Sequence, residues 1–97
     1  MIKFERMHKI AEKYCGCDVT LTLTTATMQV KAVAVFRNTT DGLDIVVNAR
    51  KCKDSYAILM AMAHEIEHYQ RRDINHPPGS EKRVQALYDK MVEEYDA

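Results

Sequence analysis

The sequence lacks a surplus of charge, an even set of cysteines and any long apolar run. Lysine plus arginine number 14 and aspartate plus glutamate number 14, so the formal net charge is zero. Neutralising a phosphate backbone needs a basic surplus, so nucleic acid is not expected as the main partner. The local clusters Arg50, Lys51 and Lys53, and Arg71 with Arg72, read as solvated rims. No apolar stretch approaches the ~20 residues that a membrane-spanning helix needs. The opening residues Met-Ile-Lys-Phe-Glu-Arg place a charge every two or three positions and hold no apolar signal core. A cytoplasmic location with no membrane partner is therefore expected. Three cysteines, Cys15, Cys17 and Cys52, argue against a disulfide framework. Structural zinc pairs show two to four intervening residues and occur twice. Cys15-Gly16-Cys17 does neither, so buried or incidental thiols are expected.

What remains is an ordinary globular balance in 97 residues, 46% hydrophobic and 29% charged. That length predicts one domain, residues 1–97, with a modest core. Any elaborate site must then be built from few parts, or must help hold the fold together.

Periodicity predicts an α+β domain in the order α-β-β-β-α-α. Over 3–14, Phe4, Met7, Ile10, Ala11 and Tyr14 mark one helical face, and Gly16 ends it. Over 18–25, Val19, Leu21 and Leu23 alternate with threonines, the pattern of a half-buried strand. A second strand over 29–37 carries apolar residues of both parities and is expected to be covered on both faces. Asn38-Thr39-Thr40-Asp41-Gly42 predicts a tight turn, and 43–48 a third strand. The three strands are expected to form an antiparallel meander. Asp54 or Ser55 caps a helix running to Arg72 or Asp73. Pro77, Pro78 and Gly79 break the chain, and Ser80 caps a last helix over 81–95 with Val84, Leu87, Tyr88, Met91 and Val92 on one face.

One motif carries chemistry. His64-Glu65-Ile66-Glu67-His68 matches H-E-x-x-H within a predicted helix. Residues four apart lie about 40° apart on one helical face, so the two imidazoles can bind one zinc ion. Glu65 falls about 100° around, beside the metal, where it can take a proton from bound water and return it to a leaving amine. Ile58, Leu59, Met62, Ile66 and Tyr69 form the opposite, core-facing stripe. Ala57 and Ala61, above the histidines, leave room for a metal and an approaching group. A bland alternative is a pair of surface histidines on an amphipathic helix, with Glu65 and Glu67 as solvated carboxylates.

A zinc site needs a third protein ligand, and two residues offer themselves. Glu81 opens the final helix, and the prolines and Gly79 supply the reversal that would lay that helix across the first. His76 lies eight residues after His68, and would need the chain to curl back without a glycine in between. The arrangement favours Glu81 and keeps His76 as the alternative.

With these residues in hand, the sequence resembles the zincin metallopeptidases, and most closely their smallest single-domain members, the minigluzincins and the short proteins of ImmA/IrrE type. The resemblance rests on Ala63-His64-Glu65-Ile66-Glu67-His68-Tyr69 and on Glu81-Lys82-Arg83-Val84-Gln85-Ala86-Leu87. SprT and WLM-type proteases, with a third histidine after the active helix, are the rival likeness through Asn75-His76. The likeness implies a zinc-dependent peptidase acting on a peptide or protein. His64, His68 and Glu81 would be metal ligands and Glu65 the general base and acid. It further implies that strand 43–48 is the sheet edge along which a peptide would pair. Some members close their own cleft with a terminus; here residues 93–97 are that candidate, although their composition favours a frayed end. Gln85 stands where many gluzincins carry an acidic residue, and no oxyanion donor is evident beyond Tyr88 or Tyr95. The other functional expectation is a zinc-stabilised regulatory or protein-binding module without turnover.

Overall fold

A computed structural model describes residues 2–27, 29–36, 42–71 and 78–97 of the chain. The chain is α+β, with three helices and a three-stranded sheet: α1 Phe4–Cys15, β1 Asp18–Thr24, β2 Ala32–Phe36, β3 Gly42–Asn48, α2 Ser55–Arg71 and α3 Ser80–Asp96.

Helix α1 forms where its sequence predicts, burying Met7, Ile10 and Ala11. Gly16 ends it in the left-handed region at φ 73°, its N–H bonding the Glu12 carbonyl at 2.9 Å. A side chain there would meet no neighbouring atom, so the glycine is required by its backbone angle alone.

The sheet departs from the expected meander. Its strand order is β1-β3-β2, with β1 parallel to β3 and β2 antiparallel to it. The cause lies in the residues of β3. Leu43, Ile45 and Val47 are wholly buried, and Val46 adds an apolar residue on the other face. The richest strand takes the centre, where both of its edges find partners. The threonines of β1 suit an edge with one face in water. Register sets Leu21 beside Ile45 and Ala34 beside Ile45 from the other side, so one face of the sheet is continuous and apolar. The opposite face is open: Val33 is 38% exposed, so β2 is not covered on both faces as expected. Turn residues 38–41 lie outside the described residues.

Helices α1 and α2 cover the apolar face, and α3 packs along α2. Helix α2 turns Ile58, Leu59, Met62, Ala63 and Ile66 inward, all fully buried. Asp54 caps it, accepting the Ala57 N–H at 2.8 Å. Helix α3 does not begin on a capping Ser80. Gly79, at φ 88°, occupies the capping position without a side-chain bond, and Ser80 is already helical and buried. The chain enters the helix from a left-handed backbone that serine would adopt only under strain. No described helix is long and apolar enough to cross a membrane.

Residues 93–97 neither fray nor block a cleft. The helix continues through Asp96, and the buried Tyr95 hydroxyl bonds the Lys3 N–H at 2.9 Å and Ser55 Oγ at 2.8 Å. Arg6 Nη1 donates to the carbonyls of Tyr95 and Ala97, both at 2.8 Å, and Tyr56 donates to Asp96. The tail is thus bound at the start of α2, which His64 follows by nine residues, or about 13 Å of helix.

Candidate metal centre

The helical period brings the motif histidines together as the spacing requires. The imidazoles of His64 and His68 stand edge to face, with ring centroids 4.7 Å apart. Both are half-buried on the face of α2 that turns away from its apolar stripe.

Two cavities meet at this pair. One, of about 740 Å³, lies between α2 and the beginning of α3 and is lined by His64, Glu67, His68, Glu81 and Gln85. The other, of about 700 Å³, lies between α2 and the segment leading into β2, and is lined by His64, Glu65, His68 and Val30 through Ala32. Ala57 and Ala61 line the second cavity, in the space their small side chains were expected to leave. The motif's two carboxylates therefore fall on opposite flanks: Glu65 toward the sheet, Glu67 toward α3.

Their environments differ. Glu65 is half-buried, and loss of water pushes its carboxyl above the usual range. Glu67 is only 4% exposed, and its Oε1 accepts a hydrogen bond from Arg83 Nε at 2.7 Å. It is not the solvated carboxylate of the bland reading. Nothing in the sequence marks Glu67 and Arg83 as partners, because their pairing depends on how α3 lies against α2.

Among the candidate third ligands, Glu81 opens onto the same cavity as both histidines. Among the described residues, however, no three histidine, cysteine or carboxylate side chains gather closely enough to hold a metal ion. Glu81 thus shares the cavity without converging on the imidazoles. His76, the alternative, lies outside the described residues. Neither Tyr88 nor Tyr95 lines either cavity, and Tyr95 is committed to Ser55.

The strand beside the site is β2, not β3. Segment 43–48 is central, whereas β2 pairs only with β3 among the described residues. The wall leading into β2 is fixed by Asn48, which is 1% exposed. Its Nδ2 donates to the Val30 carbonyl at 3.1 Å, and its Oδ1 accepts the Arg50 N–H at 3.0 Å. Lys51 Nζ adds a bond to the Gln29 carbonyl at 2.6 Å. Sequence reading placed Asn48 at a strand end and missed this role.

The cysteines are free thiols. Burial, helped by neighbouring Cys17, pushes Cys15 up to about 12, and burial raises Cys52 as well. A raised thiol is a poorer nucleophile and a poorer ligand at Cys15 and Cys52.

No family, no curated protein and no solved structure matches this chain.

Proposed function

We propose that the chain is a metal-dependent hydrolase of the zincin class. Within that class it is a minimal zinc peptidase that cuts peptide or protein substrates, with His64 and His68 as metal ligands and Glu65 as general base and acid. The supporting observation is the pair of edge-to-face imidazoles, one helical turn apart, at the meeting point of two cavities with Glu65 on one flank and Glu81 on the other. Two imidazoles with carboxylates at hand form a donor set that suits zinc. Glu81 is the proposed third ligand, and it must close on the histidines when the ion binds. Zinc held there would polarise the scissile carbonyl and acidify a water molecule.

The chain's own groups do the rest. The raised carboxyl of Glu65 is better matched to exchanging protons near neutrality than an exposed glutamate. It takes a proton from the attacking water as the new carbon–oxygen bond forms. It delivers that proton to the amine nitrogen as the carbon–nitrogen bond breaks. An extended substrate would lie along the outer edge of β2, which pairs only with β3 among the described residues and leads from the cavity that the histidines line.

A second reading, a zinc-stabilised module without turnover, is favoured by the position of the site at the seam between α2 and α3. Elemental analysis and Glu65→Gln separate the two. Native protein should carry one equivalent of zinc. Glu65→Gln should keep both zinc and fold while losing cleavage of an unstructured protein substrate. Cleavage that survives this change sinks the mechanism, and absence of zinc sinks both readings.

A further inference from the structure

We infer that Glu67 and Arg83 form a positioning clamp that sets where α3 presents Glu81 to the histidines. The inference rests on the metal-site reading and goes beyond it, assigning a task to two residues outside the ligand set. Glu67 belongs to α2, between the two histidines in sequence, and lines their cavity. Its carboxylate is almost wholly buried, and its Oε1 holds Arg83 Nε at 2.7 Å. Arg83 belongs to α3, two residues beyond Glu81. Its guanidinium also reaches back over the turn into α3: its Nη1 lies 3.5 Å from the point where a Cβ on Gly79 would stand. One side chain therefore spans the first turn of α3, which carries Glu81, and the histidine face of α2.

The physical consequence is geometric. A short charge-assisted bond from a planar guanidinium fixes distance and direction together, more tightly than apolar packing does. Glu67 is the buried member of the pair and Arg83 the half-exposed one, so taking Arg83 away would remove a charged partner from a carboxylate held out of water. The motif face then approaches α3 in one register, and Glu81 travels only within that register. Partners that orient ligands in this way are typically worth ten- to hundredfold in metal affinity. Glu67 and Arg83 are positioning residues, acting through Glu81.

The test is a double-mutant cycle on zinc affinity, read by competition with a chromogenic chelator at a temperature where each variant is folded by circular dichroism. Arg83→Gln and Glu67→Gln should each weaken zinc binding by roughly ten- to hundredfold. In a Glu81→Gln background the same changes should have little further effect, because the ligand they position is gone. The d–d absorption of the cobalt-substituted protein should change with Arg83→Gln, which a merely stabilising ion pair would not cause. Arg83→Lys should restore stability more than affinity, since it keeps the charge and loses the planar Nε–H that Glu67 accepts. Equal losses with and without Glu81, or no loss, overturn the clamp. A metal-free readout separates this from failure of the parent reading: amide exchange over 80–84 should quicken in metal-free Arg83→Gln. If zinc never binds yet those amides quicken, the metal reading falls and the clamp between α2 and α3 stands. If zinc binds normally and those amides stay slow, the clamp alone falls.

Discussion

Asn48 shows how one side chain shapes the groove without touching its chemistry. It ends β3, is buried, and bonds backbone groups on both sides: the Val30 carbonyl and the Arg50 N–H. Asn48→Ala should leave these groups without their partner and cost about 1–3 kcal/mol, measured by urea denaturation. The amides over 29–31 should exchange faster, since their anchor is lost. Titration acts at a second point, remote from the site. Glu94 beside Tyr14 pushes that hydroxyl from 10.0 up to about 12, while Lys13, paired with Glu94, helps hold the carboxylate below its usual range. A raised tyrosine favours the fold below its unfolded value and loses that favour as pH climbs. Wild type should therefore exceed Tyr14→Phe in urea midpoint up to about pH 10, and the gap should shrink between about pH 10 and 12. A gap that widens with pH would contradict the assignment. The depressed Glu94 works in the other direction, its contribution fading as pH falls through the lowered value.

Local pattern placed the elements well, and long-range pairing escaped it. The 3.6-residue period of α2, its Asp54 cap and its two histidines on one face were all legible, because each depends on neighbours within a turn or two. Gly16 and the alternation of β1 were legible for the same reason. The order of the strands was not, because any of the three could sit in the middle and only comparison of their apolar content distinguishes them. That comparison was available: β3 carries Leu43, Ile45, Val46 and Val47 within five residues, whereas β1 alternates with threonine. The misplaced edge followed directly, since β3 is central and β2 stands at the edge among the described strands. Ser80 failed as a cap because the turn into α3 demands a positive φ, which favours Gly79. The Glu67–Arg83 pair carried no local signature at all. The sheet order has a measurable correlate. Ile45→Ala, in the fully buried centre, should cost about 2–5 kcal/mol. Val33→Thr, on the open face of β2, should stay within about 0.5 kcal/mol in the same urea assay.

For the molecule as a whole, the proposed metal site at the seam between α2 and α3 would join stability to metal. Helix α3 buries Val84 and Met91 in the core and is tied to α2 by Glu67–Arg83, with His64, His68 and Glu81 around one cavity. An ion bound there and not to the unfolded chain adds stability by mass action. Zinc at a hundred times its Kd contributes about 2.7 kcal/mol. For a domain of this length that raises the melting temperature by on the order of 10–20 °C. Scanning fluorimetry with zinc or with a chelator should show this shift in wild type and in Glu65→Gln, and not in His64→Ala. A shift that survives His64→Ala would place the ion elsewhere.

The inserted central strand also imposes a timetable on the chain. β1 is complete at Thr24, yet its only partner among the described strands begins at Gly42, and β2 is made in between with the same unfilled need. Neither edge strand can close a ladder until β3 arrives, so the sheet cannot grow strand by strand from its beginning. Both pairings require Leu43, Ile45 and Val47 to have been made, and α2 follows only a few residues later in the chain. During synthesis, the motif helix therefore emerges just as the surface it must lie on first comes into existence.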